Sequence, residues 1–288
     1  MRTELLVRRT RKHFPRLDVA GIKINAIQKG GSDRKFYRVQ CSAEQALILV
    51  KYNLEREENR HYVTIANFLS EHRIRVPQIY FHDAAEGLIW LEDLGERDLY
   101  NYRGETWLVR RAFYESALEQ IAILHALPES VCVEMKELLP AEFNSELYLW
   151  EQNYFFENCL GRYFKIDKGK LAPLAALPAL QKIAEHLASL LYDPYVDLPE
   201  MERSELAGYY RQLQIERGIA INGDFDLKLR LCAMQRLMQA LGAYGFLGLV
   251  KGHKHFLKHI PGALKSLQRI VAEIDGLTQL AKTLRELA

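Results

Sequence analysis

The segment Gly30-Gly31-Ser32-Asp33-Arg34-Lys35 lies between two strand-like runs, and Lys51 closes a third such run about 20 residues later. Glycine permits positive φ angles and close approach, so this turn can fold backbone N–H groups around phosphate oxygens. An ammonium at the end of a buried strand can neutralise the α and β phosphates of a nucleotide. Each feature also has an ordinary explanation. A Gly-Gly pair between strands makes a plain hairpin turn, and a lysine at a strand end can be a solvated charge. Glu55, Glu57 and Glu58 follow at the start of a helical pattern and offer the lysine a carboxylate. Turn, strand, lysine and acidic helix together form an ordered set.

Other polar clusters are less informative. Asn222-Gly223-Asp224-Phe225-Asp226 resembles a Gly-Asp-Phe catalytic loop, but it precedes an amphipathic run, where capping and first-turn acidity explain both aspartates. His253, His255 and His259 stand among Lys251, Lys254 and Lys258 and read as a basic solvated segment rather than a metal site. Arg8, Arg9, Arg11 and Lys12 read as a charged helix face rather than an RNA or membrane contact.

The elements that must position these groups change character along the chain. Ile22, Ile24 and Ala26 alternate with polar neighbours, and Phe36 to Cys41 follows the glycine turn as the second arm of a hairpin. Ala46 to Val50 is continuously apolar, as in a strand buried on both faces. Tyr62, Ile65, Ala66 and Leu69 fall at helical spacing within Glu57 to His72, and Pro77 forbids continuation. Gln78 to His82 and Leu88 to Leu91 form a second hairpin. Beyond Asp98 amphipathic helices are predicted over Trp107 to Ala126, Ala141 to Leu160, Pro178 to Leu191, Pro199 to Arg217, Leu227 to Leu241 and Leu264 to Leu287. The expectation is an α+β protein. A small antiparallel β lobe with one helix spans residues 1–91, a linker 92–97, and a large mainly α-helical lobe 98–288. A cleft between two such lobes is a preferred ligand site.

Composition narrows the partners. With 39 Lys+Arg against 37 Asp+Glu, no global field recruits nucleic acid or anionic lipid. The four cysteines contain no Cys-x-x-Cys pair, so neither a zinc site nor a disulfide framework is expected. The N-terminal segment has no continuous apolar core of a signal peptide, and the aliphatic stretches are too short to span a bilayer. A cytoplasmic protein is expected, with a small-molecule substrate and neither nucleic acid nor membrane as partner.

On Gly30 to Arg38 (GGSDRKFYR), Leu49-Val50-Lys51, Glu58-Asn59 with the helix to Val76-Pro77, Leu91 to Gly95 (LEDLG) and Leu124-His125-Ala126-Leu127, the chain resembles the aminoglycoside phosphotransferase family, a branch of the protein-kinase-like fold. Within it the likeness is nearest to bacterial N-acetylmuramate/N-acetylglucosamine anomeric sugar kinases. It continues through Leu190 to Val196 and Leu241 to Gly248.

The resemblance implies an ATP-dependent kinase of a small hydroxylated substrate such as an amino sugar. Gly30, Gly31, Ser32, Asp33 and Arg34 would cover the ATP phosphates, and Lys51 would hold them while paired with Glu58. The peptide groups of Leu91, Glu92, Asp93 and Leu94 would meet adenine. The family's His-x-Asp-x-x-x-x-Asn loop and Asp-Phe-Gly-like turn, which position the acceptor hydroxyl and Mg²⁺, have no counterpart in this sequence. They would fall near Ala188-Ser189, where roughly 40 residues of the family's hairpin are missing. No residue is therefore assigned to catalysis or to Mg²⁺, and a catalytically inactive nucleotide-binding or regulatory module is the alternative.

Overall fold

A computed structural model describes residues 3–15, 21–27, 34–42, 45–133, 135, 145–177, 180, 198–219 and 225–287. Gly30, Gly31, Ser32, Asp33, Asn222 to Asp224, the Ala188-Ser189 junction and the stretch Leu190 to Val196 lie outside the described residues. So does nearly all of the helix expected over Pro178 to Leu191, and so does the side chain of Glu58. The chain divides into two compact units, Met1–Arg97 with Ile123–Pro140, and Asp98–Ala122 with Ala141–Ala288.

The first unit is built on five antiparallel strands, β1 (Lys23–Ile27), β2 (Lys35–Gln40), β3 (Ala46–Lys51), β4 (Ile79–Asp83) and β5 (Leu88–Glu92), in the order β1-β2-β3-β5-β4. The central strand β3 sits with Leu49 opposite Tyr37 on one side and Trp90 on the other. Side chains alternate between two faces. One face carries Val39, Leu47, Leu49, Leu88 and Trp90, packed with Leu6 of helix α1 (Thr3–His13). The other carries Phe36, Ile48, Val50, Ile89 and Leu91, packed with Tyr62 and Val63.

The basic N-terminal segment is thus an amphipathic helix that buries Leu6 and Thr10 and leaves most of its charges outside. Its buried hydroxyl is fully used: Thr10 Oγ1 donates to the Leu6 carbonyl and accepts from Trp90 Nε1, both at 3.0 Å. The turn between β4 and β5 requires Gly87, whose φ is +62° and whose added Cβ would lie 2.9 Å from the Tyr52 carbonyl oxygen.

The helix expected over Glu57 to His72 is two pieces, α2 (Glu57–Arg60) and α3 (Tyr62–Glu71), broken at His61. Arg73, at φ +63°, turns the chain out of α3 before Pro77.

The second unit is helical among its described residues: α4 (Trp107–His125, which belongs to this unit up to Ala122), α5 (Ser145–Phe155), a π-helical stretch (Phe156–Tyr163), α6 (Lys168–Ala175), α7 (Glu200–Glu216), α8 (Phe225–Leu249), α9 (Ile260–Ala272) and α10 (Thr278–Arg285). Its core gathers Tyr114, Leu118, Phe155, Leu160, Leu206, Met234, Leu241, Leu267 and Leu280.

Helix α8 runs eight residues beyond the expected Leu241, through Gly242, Gly245 and Gly248. An added Cβ at Gly245 would lie 2.3 Å from the Asn158 carbonyl oxygen, and one at Gly242 would lie 2.9 Å from Phe155 N. The glycines let α8 cross α5 and the π-helical stretch at backbone contact. The single helix expected over Leu264 to Leu287 is divided into α9 and α10, with Gly276 at φ +83° in the connection. Asp226 lies in the first turn of α8 and meets Arg211 at 2.7 Å, consistent with a terminal role for that aspartate.

Candidate functional site

Of the described residues singled out in the first unit, Arg34 and Leu91 lie on the sheet face that α3 covers. Phe36 and Arg38 of β2 point to that face, since their neighbours Tyr37 and Val39 pack on the α1 side, and Arg34, one residue before the strand, lines a cavity with Phe36. At one end Arg38 meets the segment that follows β5. Its Nε donates to Asp93 Oδ2 at 2.6 Å and its Nη2 to Asp93 Oδ1 at 2.9 Å and to the Gly95 carbonyl at 2.8 Å; Nη1 bonds Glu96.

The Gly95 N–H also donates to Asp93 Oδ1, at 2.9 Å. Burial pushes the Asp93 carboxyl upward, but the Arg38 hydrogen bonds, the Gly95 N–H and the Arg38 charge outweigh it and hold the group below the usual carboxylate range. The Asp93 bonds and charge likewise raise Arg38 against its own desolvation. Asp93 therefore acts through its carboxylate as a brace that fixes the backbone of Leu91 to Gly95 against β2.

The four peptide groups expected to meet adenine divide accordingly. Leu91 sits inside the ladder, in register with Ile48 and Ile79. Glu92 N–H donates to the Gln78 carbonyl at 2.8 Å, and its carboxylate accepts from Gln78 N at 3.1 Å. Asp93 and Leu94 lie past the strand, with the Leu94 side chain 69% exposed.

At the other end of β2, Arg34 Nε donates to Asn59 Oδ1 at 2.7 Å, and the guanidinium carbon lies 5.7 Å from the centre of the Tyr62 ring. Asn59 is 2% exposed, and its Nδ2 donates to the Asn53 carbonyl at 3.0 Å, so the amide is fixed at both ends. Beside them is a cavity of about 70 Å³ walled by Phe36, Val50 and Ile89. Burial raises the Tyr62 hydroxyl, and the nearby Arg34 charge partly offsets it.

Lys51 lies elsewhere. It continues the alternation of Leu47 and Leu49, faces the α1 side, and its Nζ donates to the Glu86 carbonyl in the β4–β5 turn. The Glu86 carboxylate pairs with Arg9 of α1. The helices α2, which carries Glu58, and α3 pack on the opposite face, through Asn59 of the first and Tyr62 and Val63 of the second. The fold therefore does not bring Lys51 to either helix. The physical reason is strand phase: the β3 residue that faces α3 is Val50, one position earlier.

Sequence reasoning gave Asn59 no role of its own and missed the Arg38–Asp93 brace. Its available signal was the alternation of Phe36 and Arg38 in a strand, which puts them on one face.

No protein-family model matches the chain, and no curated protein sequence does. Solved structures do. A choline kinase from Cryptosporidium parvum Iowa II superposes with a TM-score of 0.55 at 10% identity, covering 99% of this chain and 100% of that one. A macrolide 2'-phosphotransferase from Brachybacterium faecium gives a TM-score of 0.51 at 14% identity, covering 90% and 97%. At these identities the likeness concerns architecture: the chain has the α+β, protein-kinase-like fold.

Proposed function

We propose that the chain is an ATP-dependent phosphotransferase of small hydroxylated molecules, acting in the cytoplasm, with an amino sugar as the acceptor class. The observation that carries this reading is the Arg38–Asp93 brace, which fixes the chain after β5 where a protein-kinase-like fold presents peptide groups to adenine. Asp93 and Leu94 supply those groups.

Mg²⁺ does not fit in the same way. The sequence lacks the His-x-Asp-x-x-x-x-Asn and Asp-Phe-Gly-like motifs, and the described residues hold no group of three His, Cys, Asp or Glu side chains able to ligate a metal. No step is assigned to the ion. The same missing motifs favour a second reading, a nucleotide-binding module without turnover.

Thermal-shift titration with ATP, with and without Mg²⁺, tests nucleotide binding. Coupled detection of ADP with N-acetylmuramate, N-acetylglucosamine, choline and a macrolide as acceptors tests turnover. ATP stabilisation with ADP release on an amino sugar supports the first reading. Stabilisation without ADP release on any acceptor supports the second, and no response to ATP overturns both.

A further inference from the structure

We propose that the segment closing α8, Leu249 to His259 in the second unit, docks on the surface of an anionic lipid bilayer. The whole chain carries 39 Lys+Arg against 37 Asp+Glu, so a field able to hold a polyanionic surface must be local. One stretch supplies it. No Asp or Glu stands between Asp226 and Glu273, and within that stretch Lys251, Lys254 and Lys258 lie close together and exposed. Among the described residues none of these three lysines makes an ion pair; the Lys251 ammonium lies 5.7 Å from the centre of the Phe246 ring. Leu249 and Val250, immediately before them, are exposed as well.

The segment is ordered without a partner. The Val250 and Lys251 N–H groups both donate to the Phe246 carbonyl, at 2.8 and 3.1 Å, and His253 N–H donates to the Leu247 carbonyl at 2.9 Å. Gly252, at φ +77°, supplies the left-handed step that closes the helix. A 3₁₀ helix, Lys254–His259, follows. Side chains three apart eclipse in such a helix, so Phe256 and His259 share a side, and both pack against Tyr244 at ring separations of 6.0 and 5.5 Å. Leu257 rests against Gly248. Lys254, His255 and Lys258 are left exposed, beside the apolar pair on one anchored segment.

That combination selects the partner. A bilayer surface takes alkyl side chains into the acyl boundary and keeps ammonium groups among the lipid phosphates. A nucleic acid would use the lysines but leave Leu249 and Val250 nothing apolar to meet, and the phenyl ring of the segment, Phe256, is buried rather than set out for base stacking. A stable protein partner needs about 800 Å² on each side, roughly 20–30 residues, more than this segment offers. The contact is peripheral, since no helix among the described residues is long and apolar enough to cross a membrane.

The test is co-sedimentation of the full chain with phosphatidylcholine vesicles and with vesicles of phosphatidylcholine mixed with phosphatidylserine, alongside fluorescence anisotropy with a single-stranded RNA. Binding is expected to the anionic vesicles alone and to weaken as salt is added. Joint substitution Lys251→Gln, Lys254→Gln and Lys258→Gln should weaken it about 100-fold, roughly fivefold for each lysine. Leu249→Gln with Val250→Gln should weaken it about 10-fold at unchanged charge. Arg8→Gln, Lys12→Gln and Lys23→Gln, which remove as many exposed cations from the first unit, should change it by no more than about threefold. Should the apolar double variant fail to fold by circular dichroism, the lysine variant and its charge-matched control carry the comparison.

Failure to bind the anionic vesicles, equal binding to neutral vesicles, or equal losses in the two charge variants overturns the proposal. So does a lysine variant that loses RNA and keeps the vesicles, which would make the segment a nucleic-acid surface. None of these outcomes bears on nucleotide binding, which the ATP titration tests separately.

Discussion

Arg38 grips Asp93 through two hydrogen bonds, 2.6 Å from Nε to Oδ2 and 2.9 Å from Nη2 to Oδ1, so that the second strand holds the chain where it leaves the fifth. Both side chains are largely buried, at 18% and 10% exposure, which keeps water from replacing the pair. Asp93→Asn removes the charge from the acceptor and turns one accepting oxygen into a donor facing a guanidinium. The expected cost is about 1–3 kcal/mol in urea denaturation. Adenosine affinity should fall with it, because the backbone of Asp93 and Leu94 loses its brace. A variant as stable as the parent would show that the pair is incidental.

The same pair predicts a pH dependence. Burial raises the Asp93 carboxyl, the Arg38 and Gly95 interactions lower it by more, and the net folded value is depressed. The unfolded chain then takes up the proton first as pH falls. The stabilisation is fully present above the unfolded value of about 3.9 and is lost as pH falls through the folded value. The stability difference between the parent and Asp93→Asn should hold constant from pH 7 to pH 5 and shrink from pH 4 downward. A difference that is flat down to pH 3 would remove Asp93 as the titrating group.

The α+β class and the five strands were legible because polar and apolar residues alternate in β1 and β2, and turn residues bound the β4–β5 hairpin. The phase of β3 was not. Ala46 to Val50 is apolar throughout because the strand is buried on both faces, so nothing in the run says whether Val50 or Lys51 faces α3. The face on which Lys51 lies was therefore not legible in the sequence. The Arg38–Asp93 brace escaped for another reason: it joins residues 55 positions apart, and no local pattern encodes that distance.

The helix through Gly242, Gly245 and Gly248 gives a test in the second unit. Gly245→Ala would set a Cβ 2.3 Å from the Asn158 carbonyl oxygen, which α8 can relieve only by moving away from the π-helical stretch. A loss of about 1–3 kcal/mol or more is expected. Gly262→Ala, in α9 with nothing within 4 Å of the new Cβ, should instead gain about 0.5–1 kcal/mol from the reduced freedom of the unfolded chain. Thermal melts of the two variants should move in opposite directions; a common direction would contradict the close crossing.

Thr10→Val tests how α1 is fastened to the sheet. Valine matches threonine in shape, so packing around Leu6, Leu49 and Leu88 is kept. Only the hydroxyl is lost, and with it the acceptor for Trp90 Nε1, on an indole that is fully buried. An unmet donor in that position costs about 1–3 kcal/mol, more than the hydrogen bond itself contributes, because water cannot reach it. The second variant, Trp90→Phe, removes the donor, and in that background Thr10→Val should cost less than it does alone. Equal costs in the two backgrounds, measured by urea denaturation, would show that the Thr10 hydroxyl serves the Leu6 carbonyl and not the indole. The attachment of α1 would then rest on the apolar contacts and on the ion pair of Arg9 with Glu86.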